Sequence, residues 1–232
     1  MKLAKDRVDF GLYTNEREAM LAFWQQVVGL PFEETLSAGG GVHQLRHGMN
    51  GSVMKINHSR DALPEVGPSG YRELWIARPG LTAERRLVDP DGNRVRLVPP
   101  GTEGVEGIGL RLGVRDEAAQ HHFYADVLGL PASGERSYRA GGSILFFARD
   151  PDVPADVVHG NNQKMRGPGF RYMTIQVWDV DATHAEVLAR GGMEGHAPLT
   201  LGKVARISFV RDPDGNWIEL SQRASLTGAL PG

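Results

Sequence analysis

The sequence predicts an α+β chain assembled from repeated β-α-β-β-β units, and two motifs that each occur twice predict it. Asp89-Pro90-Asp91-Gly92-Asn93 leads into Arg94-Val95-Arg96-Leu97, and Asp212-Pro213-Asp214-Gly215-Asn216 leads into Trp217-Ile218-Glu219-Leu220. Each copy sets Pro, Asp, Gly and Asn where a tight turn needs a fixed φ and then a positive one, directly before a strand-like run. Phe23-Trp24-Gln25-Gln26-Val27-Val28-Gly29-Leu30-Pro31 is echoed by Phe123-Tyr124-Ala125-Asp126-Val127-Leu128-Gly129-Leu130-Pro131. Two motifs doubled in the same order mark an internal duplication.

In the first unit, Val8 to Thr14 alternates as a strand. Asn15 is the expected cap of a helix running to Val28, with Ala19, Leu21, Ala22, Phe23, Val27 and Val28 on its buried face and Gly29 ending it. Three short strands follow near Phe32 to Leu36, Gly41 to Arg46 and Ser52 to Asn57, separated by glycine breaks. Tyr71 to Ala77 opens a second unit. Too few residues remain before Asp89 for a helix and two further strands, so this unit reads as abridged. Gly107 to Val114 restarts the plan, with a helix from Asp116, its expected cap, to Leu128 and a strand from Ile144 to Arg149. The Pro/Asn/Gly-rich stretch 151–169 reads as a functional loop. The last unit has a strand at Arg171 to Val177, a helix at Val180 to Arg190, and strands at Lys203 to Val210 and Trp217 to Ser221. The expected division is one domain at 7–100, a second at 105–223 and a flexible tail at 224–232.

The 232 residues suffice for two cores of roughly 100 residues each. A formal net charge of −2 with scattered basic residues argues against a nucleic-acid partner. No apolar run is long enough to span a bilayer and the start lacks a signal-peptide core, so the expectation is a cytoplasmic protein without a membrane partner. The absence of cysteine excludes disulfides, thiolate nucleophiles and Cys-ligated zinc.

The order of units and the doubled motifs resemble the vicinal oxygen chelate superfamily, which includes glyoxalase I, extradiol dioxygenases and bleomycin-resistance proteins. The resemblance covers nearly the whole chain. It implies tandem domains of βαβββ modules, each forming an incomplete β-barrel cup, with a divalent metal held by His or Glu from the first and last strands of the units. Those positions fall on Asp9, Lys55, Glu73 and Arg96 in the first half and on Gly107, Phe146, Tyr172 and Glu219 in the second. Only Glu219 matches the ligand type, so the usual divalent metal site is expected to be absent and the cofactor is left open.

Asp9, Glu73, Lys55 and Arg96 are expected to converge as a charge-compensated cluster where the ion would sit. The second-half cup is the expected ligand site. Period-two alternation sets Thr174 and Gln176 beside Tyr172, and Trp217 beside Glu219; Arg111 and Phe146 complete a mixed lining. Glu219 is the candidate general base and Tyr172 the candidate proton donor, with a Glu219–Arg111 ion pair as the structural alternative. Among the histidines, His43 and His47 form a conceivable strand-borne pair near Asp9. His159 is the loop residue most suited to fold over the cup; His121, His122 and His184 belong to helices.

Three functions follow. One is an atypical, metal-independent enzyme performing lyase- or isomerase-type proton transfer on a carbonyl or aromatic metabolite. The others are a non-catalytic sequestration protein of bleomycin-resistance type, and a glyoxalase- or dioxygenase-like metal enzyme with displaced ligands. The expected partner is a small, partly aromatic molecule, and both monomer and homodimer fit. No Gly-rich nucleotide fingerprint is present.

Overall fold

The computed structural model describes residues 1–153 and 165–230. Unit one comprises β1 (Asp9–Thr14), α1 (Arg17–Ala22) continued by a wide π turn at Phe23–Val27, β2 (Phe32–Ser37), β3 (Val42–Met49) and β4 (Ser52–Ser59). Unit two has no helix, only β5 (Tyr71–Ala77), β6 (Arg85–Val88) and β7 (Arg94–Val98), as its length demands. Unit three runs β8 (Ile108–Val114), α2 (Glu117–His121) with its π continuation His122–Val127, β9 (Ala132–Gly134), β10 (Ser137–Ala140) and β11 (Ser143–Arg149). Unit four runs β12 (Gly169–Gln176), α3 (Val180–Ala189), β13 (Met193–Leu201), β14 (Ala205–Arg211) and β15 (Trp217–Arg223), and a single turn, α4 (Ala224–Thr227), follows it.

The strands form two open sheets, mostly β with helices packed outside, which is the expected fold class. Their composition is unexpected. One sheet has the order β13-β14-β15-β12-β1-β4-β3-β2 and the other β6-β7-β5-β8-β11-β10-β9. Units one and four therefore share the first sheet and units two and three the second. The halves 7–100 and 105–223 do not each own a sheet. The joins are antiparallel: Asp9 opposes Thr174 between β1 and β12, and Glu73 opposes Arg111 between β5 and β8.

One contiguous core packs the helix-side faces of both sheets, with Phe10, Leu12, Met54, Leu74, Leu110 and Met173 fully buried in it. The opposite faces are lined by two smaller apolar clusters, one around Tyr13, Tyr172, Phe209 and Trp217 and one around Trp75, Val105 and Ile144. These two faces are the cups.

The doubled turns tie the sheets to each other. Asp212 Oδ1 accepts from the backbone N–H of Asp214 and Asn216, both at 2.9 Å, and Asp89 Oδ1 does the same for Asp91 and Asn93. Gly215 and Gly92 supply the positive φ, at 79° and 84°. Asn93 Oδ1 then accepts from the N–H of Phe170 in β12, and Asn216 Oδ1 from the N–H of Gly70 just before β5. Each turn thus holds the first strand of the other's unit.

Several local expectations are corrected. Asn15 does not cap α1: its amide donates to the carbonyls of Ser59 and Asp61, and Glu16 occupies the cap position without a side-chain bond. Asp116 does cap α2, accepting from Ala118 and Ala119. β13 escapes the alternation rule because Gly195 and Pro198 interrupt it and its pairing with β14 slips twice.

Candidate functional site

The floor of the first cup is built where β1, β4, β12 and β15 lie side by side. Gly11 adjoins Lys55 across β1 and β4, and Thr174 adjoins Glu219 across β12 and β15. Alternation turns Asp9, Gly11 and Tyr13 to the same face as Tyr172, Thr174 and Gln176. Gly11 is required here, since a Cβ would lie 2.3 Å from the Tyr172 ring that crosses it.

At the centre three groups close a ring of bonds. Lys55 Nζ stands 2.6 Å from Glu219 Oε2 and donates to Thr174 Oγ1 at 2.6 Å, while Thr174 Oγ1 donates to Glu219 Oε2 at 2.7 Å. All three are buried. Beside them Asp9 is neutralised by Lys5 at 2.5 Å and accepts from the Val53 N–H and the Gln176 amide. The Tyr172 hydroxyl accepts from the Asn57 amide at 3.1 Å, and its ring faces Lys55 Nζ at 5.4 Å. Burial holds the Tyr172 phenol well above its ordinary range, helped by the Glu219 charge; burial also pushes Tyr13 up to about 12. Both phenols keep their protons at neutral pH. Trp217 and Phe209 wall the cup, with ring centroids 6.0 Å apart in an edge-to-face pair.

The second cup has a different chemistry. Arg96 pairs with Glu73 at 3.2 Å and Glu84 at 3.1 Å, and its guanidinium lies 4.4 Å over the Trp75 ring. Trp75 donates to Glu73 Oε2 at 2.6 Å and meets the Phe146 ring at 5.1 Å.

Five of the expected site residues therefore stand together in the first cup: Glu219, Tyr172, Thr174, Gln176 and Trp217. Arg111 and Phe146 face inward too, but from β8 and β11 into the second cup, where they oppose each other. His159 lies outside the described residues. The expected fourfold cluster is divided, Asp9 and Lys55 in one sheet and Glu73 and Arg96 in the other. The Glu219–Arg111 pair does not form, because Lys55 takes that place. The Gly107 carbonyl is spent on the Ala77 N–H and the Asn50 amide. His43 and His47 sit on the helix-side face of β3, away from Asp9, with His47 bonded to Gln25. Lys5, Tyr13 and Asn57 are site residues that sequence reasoning missed. Tyr13 and Asn57 carried a signal, standing two residues from Gly11 and Lys55 on the same strand faces.

A family model described as the Glyoxalase/Bleomycin resistance protein/Dioxygenase superfamily matches residues 109–220, which are units three and four. A "Probable lactoylglutathione lyase" of Synechocystis is 30% identical over 124 residues, covering 50% of this chain and 92% of that protein. The chain belongs to the glyoxalase/bleomycin resistance/dioxygenase superfamily. A second "Probable lactoylglutathione lyase", from Vibrio parahaemolyticus, is 29% identical over 132 residues, 53% of this chain and 93% of its own. The glyoxalase I structure from Zea mays overlays 93% of this chain and 92% of its own with a TM-score of 0.73 at 14% identity, so the two share a fold over both sheets.

Superfamily members typically hold a divalent ion on the first and last strands of paired units. In this chain those strands of units one and four carry Asp9, Lys55, Tyr172, Thr174 and Glu219, and this donor set does not fit a dication. The Lys55 ammonium lies within 2.6 Å of the single well-placed carboxylate and would repel the ion. Asp9 is already paired with Lys5. Among the described residues no three His, Asp or Glu side chains converge as a metal site. No helix among them is long and apolar enough to cross a membrane.

Proposed function

We propose that the chain is a metal-independent member of its superfamily that binds a small, partly aromatic carbonyl compound in the first cup and transfers a proton on it. The observation that carries this reading is the Lys55–Thr174–Glu219 ring at the centre of that cup. A buried ammonium can polarise a carbonyl oxygen and stabilise the oxyanion that forms when an adjacent proton leaves, which is the service a divalent ion gives elsewhere. Lys55 spends two of its three donors on Thr174 and Glu219, leaving one for the substrate. Both bonds to Glu219 fall on Oε2, so Oε1 is the atom to take the proton. The protonated Tyr172 hydroxyl, held by Asn57, donates a hydrogen bond to the oxyanion, and Glu219 returns the proton it took to the neighbouring carbon, which leaves both groups as they began. Trp217, Phe209 and Tyr13 supply flat apolar walls for an aromatic or conjugated portion. The lactoylglutathione lyase names of the relatives support an isomerising or lyase-type proton transfer of this kind.

Lactoylglutathione lyase turnover, measured with and without a chelator and after loading with nickel or zinc, tests the reading. Turnover that ignores the chelator and falls roughly 10²- to 10⁴-fold in Glu219→Gln is expected. Turnover that requires the added ion would overturn metal independence. Saturable ligand binding with no turnover would leave a sequestering protein. That second reading has its own support, since Lys55 and Thr174 both hold Glu219 and reduce its freedom to act as a base.

A further inference from the structure

We infer that the second cup is an anion-binding site, separate from the first, that takes a small molecule bearing a phosphate or carboxylate on an aromatic group. A cavity of about 550 Å³ opens on this face and is lined by six arginines, Arg72, Arg86, Arg94, Arg96, Arg111 and Arg149, against only two carboxylates, Glu73 and Asp150. In a chain whose formal net charge is −2, this is a strong local excess of positive charge. No lysine contributes. Arginine's planar fork suits bidentate contact with an oxyanion, and its rigid spread of donors makes the site selective for that geometry.

The cavity's own carboxylates are already committed. Asp150 holds Arg72 at 2.7 Å, and Glu73, with Glu84 behind it, holds Arg96. Arg111 and Arg149 make no hydrogen bond or ion pair among the described residues, and both side chains are exposed in the cavity wall. Alternation aims Arg111 into the concavity beside Glu73, with Arg94 on the other side of Glu73 held, among the described residues, only by the Arg72 carbonyl, and an anion would compensate the two. The strands fix where that anion sits, because Arg111 opposes Glu73 on one side and Phe146 on the other.

The aromatic requirement comes from the adjoining hollow. A second cavity of about 400 Å³ meets the first at Arg111 and is lined by Trp75, Phe146 and Phe147. Trp75 and Phe146 form a tilted pair, and Arg96 stacks on the outer face of Trp75. A ligand whose oxyanion rests on Arg111 extends its ring along Phe146. The cup thus offers charge at one end and apolar surface at the other, as small-molecule sites do. The ammonium of Lys55 in the first cup has no part in it, so this site stands or falls independently of the proton-transfer reading.

Isothermal titration of the full chain with phenyl phosphate, benzoate and inorganic phosphate at low salt tests the inference. Saturable binding is expected, with phenyl phosphate or benzoate tighter than inorganic phosphate and affinity falling as salt is raised. Arg111→Gln and Arg94→Gln should each weaken it about tenfold or more, the effect of losing a charge-assisted hydrogen bond. Arg17→Gln, an exposed arginine of α1 outside the cup, should leave it unchanged. Phenyl phosphate alone binding would assign the phosphate class, and benzoate alone the carboxylate class. Absence of saturable binding, or equal weakening by Arg17→Gln, would overturn the site. A single-stranded oligonucleotide that binds more tightly than every small probe and is lost in the same variants would replace the small molecule with a nucleic acid.

Discussion

The two cups are built from the same unit plan and differ in what they do with charge. The first buries it: Lys55 and Glu219 are 4% and 10% exposed at their side chains, and every ionic group on the floor has its partner within the cup. The second displays it, with arginines in excess and two of them unpaired among the described residues. A buried, balanced pair is costly to disturb and is held in one geometry, which suits a reacting centre. An exposed, unbalanced surface costs little to alter and attracts a ligand of opposite sign, which suits recognition. Duplication thus gave one chain two concavities with opposite electrostatic designs.

The strongest way to break the contrast is Lys55→Met, which strands the Glu219 carboxylate in the floor of the first cup. Chemical denaturation should show a loss of roughly 3–5 kcal/mol, and Lys55→Met combined with Glu219→Leu should recover most of it. If the single variant costs nothing, the first cup is not the sealed ionic centre described above.

The doubled turns extend the comparison to pH. Burial raises the Asp89 carboxyl to about 6 on the second cup's unit and the Asp212 carboxyl to about 7 on the first cup's unit. Each folded-state value lies above the ordinary 3.8, so folding favours the protonated form. That contribution is complete below about pH 4 and disappears as the pH rises through 6 and then 7. Stability measured by urea titration should therefore fall between pH 4 and 7, by roughly 7 kcal/mol for the two carboxyls together. Asp212→Asn should flatten the fall near pH 7, and Asp89→Asn should flatten it near pH 6. Equal and unchanged slopes would remove the difference between the turns.

Glu73→Gln performs on the second cup the amputation that Lys55→Met performs on the first. Arg96 retains Glu84 and the Trp75 ring, so a loss of only about 1 kcal/mol is expected by the same denaturation. Arg111→Gln, at an unpaired and exposed position, should change stability by less than about 0.5 kcal/mol while altering anion binding. A large stability loss there would mean that Arg111 is structural.

Much of this was legible in the residues. The doubled Asp-Pro-Asp-Gly-Asn and Gly-Leu-Pro motifs carry their geometry locally, through positive-φ glycines and side-chain caps, and they fixed the unit plan. Alternation also aimed Lys55, Arg111, Phe146, Tyr172 and Glu219 inward, because side-chain facing is a property of the strand itself. Which unit pairs with which is decided by contacts far apart in the chain. Nothing local distinguishes β1 meeting β12 from β1 meeting β5. That single unknown split the expected fourfold cluster, sent Arg111 and Phe146 to the other cup and gave Glu219 a lysine for a partner.

The crossed pairing also dictates how the protein can be taken apart. A break between residues 100 and 105 would leave one fragment carrying β1 without β12 and β5 without β8, and the other fragment with the complementary strands alone. Each piece would expose two unpaired central edges, prone to sticking to other chains when by itself. Mixed together, the pieces hold two matched seams for each other, so the natural way to divide this molecule for a split reporter is the very point at which the sequence invites one to see two independent domains.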